Sequence, residues 1–364
     1  MIDTLSMSMA QLTELFASLG EPKFRAKQYA AWQLTGTPIA EMTNLPRPLR
    51  ERLSATVTDT LPQVEEKLVS RLDGTVKYLF RLYDGEIIES VLMKYKHGNT
   101  LCISCEVGCP MGCKFCASTL GGKVRGLLPS EMLGQIIAAE RDSGERVSNV
   151  VMMGIGEPLD NYENVVTFLR LLGDPEGLNI GYRHVSLSTC GIVPRILDLA
   201  REELPITLSI SLHAATDEAR SAIMPINNRW NIRTLLEACV TYYKTTGRRI
   251  SFEYTLIAGK NDSEADARAL GALLRDAFRG TGAPIHVNLI RVNEVRETGM
   301  KQGSVTEANR FAELLGHMGV TATVRRRLGS DVNAACGQLR RRAIAKQTDE
   351  HNEHNEHREQ GKQS

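Results

Sequence analysis

The chain has 364 residues, 42% of them hydrophobic and 24% charged, a composition that builds one large globular domain with small appendages and excludes disorder as the main state. No run reaches the roughly eighteen consecutive apolar residues of a membrane span, and the opening MIDTLSMSMAQ lacks the basic-then-apolar layout of a secretion signal, so a cytoplasmic protein with no membrane partner is expected. Lys and Arg total 44 against 43 for Asp and Glu, a formal charge of +1 that selects no polyanionic partner until its distribution is considered.

The first chemical signal along the chain is a run of thiols. Of eight cysteines, five (Cys102, Cys105, Cys109, Cys113 and Cys116) fall within 15 residues, while Cys190, Cys239 and Cys336 stand apart. Clustered thiols in a reducing compartment point to a metal rather than a disulfide framework. Two partitions compete. Cys102-x2-Cys105 with Cys113-x2-Cys116 would make a four-thiolate zinc site, but the pairs are close for a zinc ribbon and Cys109 is left over. Cys109-x3-Cys113-x2-Cys116 would give three thiolates to a four-iron cluster and leave one iron open to chelate a substrate.

From Thr100 onward apolar, β-rich runs alternate with helical patterns. Strands are predicted at 100–105, 149–154, 184–190, 206–213, 249–257 and 285–292, with helices at 161–172, 193–202, 232–247 and 263–278 between them. This alternation predicts an α/β fold with a parallel sheet, a partial (β/α)6 barrel, with a doubly wound sheet as the other solution. Reactive groups of such barrels lie at the carboxyl ends of the strands. The cysteine loop follows the first strand, Gly154-Ile155-Gly156-Glu157-Pro158 the second, Ser188 closes the third, Ser211-Leu212-His213 closes the fourth, and Asn288 lies in the sixth. Glu157 and the backbone at Gly156 can accept from an ammonium group on a ligand of the open iron; Ser188, the 211–213 strand end and Asn288 can hold its polar remainder. Taken alone, His213 reads as a satisfied core histidine and the GxGEP run as a tight turn.

Between Thr321 and Lys346, seven basic residues (Arg325, Arg326, Arg327, Arg340, Arg341, Arg342 and Lys346) face the single acid Asp331, a footprint suited to phosphates that flanks Cys336. The tail 347–364, with His351, His354 and His357, has too few apolar groups to fold and is read as disordered.

The segments CISCEVGCPMGCKFCASTLGG, MGIGEPLDN, SLSTCGIVPRI, SLHAATDEARSAIMPINNRW, RRISFEYTLIAG, HVNLIRVN and DVNAACGQLR resemble, in order and spacing, the radical-SAM RNA adenine methyltransferases, and among them the RlmN family, which modifies carbon 2 of adenosine. The resemblance runs from about Pro22 to about Arg342. It implies a radical-SAM barrel at 98–346 ending in a Cys336 loop, preceded by a small helical accessory domain at 1–45 that contacts RNA and a β-containing segment at 46–97 carrying Glu89. It also implies that Cys109, Cys113 and Cys116 ligate a 4Fe-4S cluster, and that Gly156, Glu157, Ser188, Ser211, Leu212, His213 and Asn288 contact S-adenosylmethionine. Cys336 matches the methyl-carrying cysteine, Cys102 the cysteine that later bonds to it, and Glu89 the proton acceptor.

By the same resemblance, one S-adenosylmethionine methylates Cys336 and a second is cleaved reductively to a radical that takes hydrogen from the S-methyl group. The methylene radical then adds to the base, which joins RNA and protein. Release would need Glu89 as base and Cys102 as thiol, ending in a transient Cys102–Cys336 disulfide that external reductant reopens. The implied partners are 23S rRNA, for some members of the family also tRNA at the adenosine beside the anticodon, and an external electron donor of flavodoxin type. Cys105 receives no role, and Cys190 and Cys239 read as core residues. The alternatives are a Cfr-type enzyme acting on carbon 8, a radical-SAM activase or dehydrogenase, which needs neither Glu89, Cys102 and Cys336 nor the late arginines, and a non-enzymatic zinc-stapled RNA-binding module.

Overall fold

The computed structural model describes residues 1–58, 60–292 and 299–332. Three helices open the chain: α1 (Met9–Ser18), α2 (Lys23–Gln33) and α3 (Arg47–Thr56). The first begins where the Ser8 hydroxyl accepts from Gln11 N and the Gln11 side chain accepts from Ser8 N, which satisfies two donors that a helix start leaves orphaned. Leu12, Phe16, Ala26, Tyr29, Leu49 and Leu53 form an apolar cluster of their own. The spacing of Leu49 and Leu53 puts both on one face of α3, and both are buried in that cluster, so the helical part runs past residue 45.

The strands β1 (Gln63–Val69), β2 (Val76–Arg81), β3 (Ile87–Tyr95) and β4 (Gly98–Cys102) then form an antiparallel meander. A separate ribbon of β5 (Glu106–Gly108) and β6 (Lys123–Gly126) frames the cysteine loop. Helix and strand alternate from there: α4 (Pro129–Ser143), β7 (Val147–Met152), α5 (Tyr162–Leu172), β8 (Val185–Thr189), α6 (Val193–Arg201), β9 (Thr207–Ser211), α7 (Asp217–Ile223), α8 (Ile232–Thr246), β10 (Ile250–Leu256), α9 (Glu264–Ala277), β11 (His286–Arg291), α10 (Val305–His317) and β12 (Thr321–Val324). The meander and the parallel strands are one ten-stranded sheet, ordered β1-β2-β3-β4-β7-β8-β9-β10-β11-β12. All six expected strands are present and parallel. The first ends at Cys102 rather than 105, because the chain turns there toward the cysteine loop. The short β12 adds a parallel strand beyond the six.

Side chains alternate along the strands as a half-polar barrel requires. In β10, Phe252 and Tyr254 pack outward on Phe278 and Phe311 of the helical layer, while Ser251, Glu253 and Thr255 take the other face. Each fully buried Leu, Phe or Ile of this layer contributes about 1.5–3 kcal/mol. β1 and β12 are opposite ends of the sheet, yet Gly329 N donates to Asp73 Oδ2 at 2.8 Å, so the sheet curls until the segment after β12 meets the β1–β2 turn. α4 is buried along its first eleven residues because the sheet lies under it and the N-terminal helices lie over it. Ser130 Oγ donates to Asp3 Oδ2 at 2.7 Å and Arg141 Nη1 to Gly36 O at 2.6 Å, tying the two parts together. Among the described residues no helix is long and apolar enough to cross a membrane.

Candidate active site

The cysteine loop is held at both ends. Cys109 N donates to Gly122 O at 2.9 Å, in a turn where Gly108 has φ +79° and a Cβ would stand 1.9 Å from Gly122 O. Within the loop Thr119 Oγ1 donates to Cys113 O and Cys116 O, and Lys114 N donates to Ile223 O at the end of α7. Cys109 is buried; Cys113 is buried, and Cys116 half-buried, against Cys190, Ile223, Met224, Ile257, Val292 and Met300. Burial, together with the neighbouring Cys116, pushes the Cys113 thiol up to about 12, and burial likewise raises Cys109. The raised Cys109 and Cys113 thiols would be held as thiolates by a cationic core, and this three-cysteine donor set suits an iron–sulfur cluster.

No three His, Cys, Asp or Glu side chains among the described residues converge closely enough to hold one metal ion. A cubane does not ask for that convergence, since each thiolate binds a different iron. The zinc partition fails on direction as well. Cys105 donates its thiol toward Ile155 O and lies in the main apolar core, while Cys102 faces a different cavity.

The GxGEP loop lies against the residues that follow β4. A Cβ at Gly154 would fall 2.5 Å from Ile103 O, and one at Gly156, whose φ is +111°, would fall 2.6 Å from Glu106. Only glycine permits this approach. Glu157 is buried; its Oε1 accepts from Leu159 N at 3.0 Å and its Oε2 from Cys190 N at 2.7 Å, which joins the ends of β7 and β8. Glu157 N in turn donates to Glu106 Oε2 at 2.9 Å, and burial pushes the Glu106 carboxyl up to about 7 against the pull of Lys123, 2.6 Å away.

On the concave face, Ser211, Glu253, Asn288 and Thr323 occupy one register row across four strands, and Ser188, Ser209, Ser251 and His286 the row beneath. Asn288 Nδ2 donates to Glu253 Oε2 at 2.8 Å, which turns its amide oxygen to other partners. Leu212 N and His213 N both donate to Glu253 O as the chain leaves β9. His213 has φ +59°, accepts from Thr255 N through Nδ1 at 2.9 Å, and packs edge-on against Phe115 of the cysteine loop, with ring centroids 4.8 Å apart. Burial, and then the charge of Arg220, drop it to about 3, so the ring is neutral with its proton on Nε2. Arg220, fully buried, donates to Leu212 O, Ser211 O and Cys190 O and to Asn227 Oδ1, pinning the ends of β8 and β9. Neither Glu253 nor Arg220 was expected from sequence. Glu253 is the lone charge in a strand that otherwise alternates, and that was its available signal.

Glu89, Cys102 and the arginine run meet in a second part of the site. A cavity of about 190 Å³ is lined by all three of Arg325, Arg326 and Arg327, by Glu89 and Cys102, and by Gly154. Glu89 and Cys102 reach the same face because Val91 of β3 pairs with Cys102 of β4 and Glu89 lies two residues before Val91. Ser104 Oγ donates to Glu89 O at 2.7 Å and accepts from Ile155 N at 3.0 Å, so one hydroxyl ties Glu89 to the GxGEP loop. Burial raises the Cys102 thiol, and Arg325 pulls it back. Cys336, Arg340, Arg341, Arg342, Lys346 and the tail 347–364 lie outside the described residues.

Residues 103–270 match the family model of the radical SAM superfamily, and residues 2–58 that of the ribosomal RNA large subunit methyltransferase N-terminal domain. The crystal structure of a radical SAM methyltransferase from Sphaerobacter thermophilus superposes with a TM-score of 0.87, at 42% identity over 93% of this chain and 99% of that one. Fold and site together define a radical SAM methyltransferase. Over 348 residues, 95% of this chain and 99% of the relative, it is 51% identical to the probable dual-specificity RNA methyltransferase RlmN of Clostridium botulinum (strain Eklund 17B / Type B). Over 347 residues, 95% of this chain and 97% of the relative, it is 48% identical to the same-named protein of Alkaliphilus metalliredigens (strain QYMF). The chain belongs to the RlmN family of RNA methyltransferases, enzymes of the kind that use a 4Fe-4S cluster and S-adenosylmethionine. This removes the activase and zinc-module readings.

Proposed function

We propose that the enzyme methylates carbon 2 of an adenosine in 23S rRNA, and of the adenosine beside the anticodon of tRNA. The relatives' name, dual-specificity RNA methyltransferase, supports two RNA classes. The observation that carries the reading is the shared cavity of Glu89, Cys102 and Arg325 to Arg327 beside Gly154. In this reading the bound cluster, on Cys109, Cys113 and Cys116, supplies the electron that cleaves S-adenosylmethionine, drawn in turn from an external donor of flavodoxin type.

The chain's own residues then divide the remaining work. The Gly156–Glu157 turn, Ser188, the Ser211-Leu212-His213 strand end and Asn288 orient S-adenosylmethionine from the concave face, with two molecules consumed per methyl group transferred. Cys336 is methylated by one of them and carries the carbon to the base. Glu89 accepts the ring proton at a carboxylate oxygen. Cys102, as thiolate, attacks the Cys336 sulfur; the sulfur–carbon bond breaks with its electron pair passing to the carbon, which takes up a proton to become the methyl group of the base, and a Cys102–Cys336 disulfide is left for an external thiol to reduce. The arginines hold RNA phosphates while the target base is drawn from its stack.

The test is nucleoside mass spectrometry of rRNA and tRNA from cells that lack the protein and cells that regain it. Loss and return of 2-methyladenosine in both pools is expected. 8-Methyladenosine would transfer the enzyme to the Cfr-type chemistry, and an unchanged tRNA pool would remove the second substrate.

A further inference from the structure

Lys77 of β2 and Glu89 of β3 form an ion pair, Nζ to Oε2, of 3.1 Å, with side chains 0% and 2% exposed. They share a face because Lys77 pairs with Val91, two residues from Glu89. Glu89 lines the cavity and Lys77 does not, so the ammonium stands behind the carboxylate. A buried ion pair is a poor way to stabilise a sheet, since an apolar pair of equal volume does as well or better. Its effect here is on the cavity: it fixes a charge at one point of the wall.

We propose that Lys77 is the positioning residue of Glu89, holding its carboxylate aimed into the cavity so that it can accept the proton of the substrate ring. The inference rests on the reading of Glu89 as proton acceptor. A charge-assisted bond from the Lys77 ammonium fixes the orientation of that carboxylate. Among the described residues, the other charged or titratable groups lining the cavity with Glu89 are the Cys102 thiol on β4, Arg291 at the end of β11, and Arg325, Arg326 and Arg327 after β12. These belong to the cavity wall, where RNA phosphates compete for the guanidinium groups. Lys77 is the cation shielded from that competition. The backbone is fixed to match: Ser104 Oγ holds Glu89 O, and the neighbouring Ser90 Oγ donates to Gln135 Oε1 at 2.7 Å.

The experiment uses iron-loaded full-length Lys77→Met, Lys77→Gln, Lys77→Arg and Glu89→Gln with 23S rRNA transcript. It follows product formation against pH and the covalent protein–RNA adduct on denaturing gels. Lys77→Met, or Lys77→Gln should the former fail to fold, is expected to lose at least tenfold in turnover at neutral pH, to accumulate adduct, and to change the pH profile of product formation. Lys77→Arg should restore both turnover and pH profile. A wild-type profile in Lys77→Met and Lys77→Gln overturns the proposal, as does an equal loss at every pH without adduct, which marks a structural role. Normal turnover by Glu89→Gln would instead bring down the proton-acceptor reading beneath it.

Discussion

The hydroxyl of Ser70 donates to Asp331 Oδ1 at 2.7 Å across 261 positions of sequence, and the same carboxylate accepts from Arg71 N at 2.9 Å. With Asp73 gripping Gly329 N, two carboxylates fasten the segment that bears Arg325, Arg326 and Arg327 to the β1–β2 turn. Partial burial pushes Asp73 up, but the amides of Gly329 and Thr75 outweigh it and leave the group at about 2. A carboxyl whose folded value lies below its unfolded value of 3.8 contributes stability that is fully present above about pH 4 and is lost as pH falls through 2. Asp73→Asn should cost about 1 kcal/mol at pH 7 and flatten the acid limb of a denaturation series, and Asp331→Asn should destabilise in the same direction. An acid limb identical to wild type would show that the fastening contributes nothing.

Iron content separates the thiols. Alanine at Cys109, Cys113 or Cys116 should leave the anaerobically purified protein without most of the roughly four irons per chain of a cubane. Alanine at Cys105 should leave the brown colour intact, because that thiol points to Ile155 O and the apolar core. A colourless Cys105→Ala protein would reopen the assignment of ligands.

The arginine run should reveal itself through salt. Neutralising Arg325, Arg326 and Arg327 together is expected to weaken RNA binding and to reduce the slope of log affinity on log salt by roughly 0.7–0.9 for each phosphate that no longer meets a guanidinium. A slope that does not move rules out phosphate binding by these side chains.

His213 gives a pH dependence of definite sign. Its folded value of about 3 lies below the ordinary 6.5, so the unfolded chain takes up a proton that the folded chain refuses. Stability from this group is complete above about pH 6.5 and declines as pH falls toward 3. His213→Asn should lower stability at pH 7 and remove that part of the slope between pH 6 and 4, read by urea denaturation at each pH. If the slope in that window survives the substitution, the ring is not the group that titrates.

The parallel strands were legible because their apolar runs alternate with amphipathic helices, and the strand-end rule then placed Gly156, Glu157, Ser188, Ser211, His213 and Asn288 around one mouth. α4 escaped notice since it is buried on nearly every side and carries no polar stripe to mark a period. β12 is four residues long, too short for a pattern. Arg220 and Lys77 could not be read as internal from sequence at all. Each is a charge made tolerable by partners that only the fold supplies, carbonyls from two strand ends in one case and a carboxylate from the next strand in the other.

The grip of Asp73 on Gly329 has a consequence for biosynthesis. The first hairpin of the sheet leaves the ribosome 256 residues ahead of the amide that completes it. At about 5–20 residues per second that interval is on the order of ten to fifty seconds. For most of it Glu89 and Cys102 are translated but not yet enclosed, and that thiol stays open to solvent until the segment after β12 arrives to close the cavity.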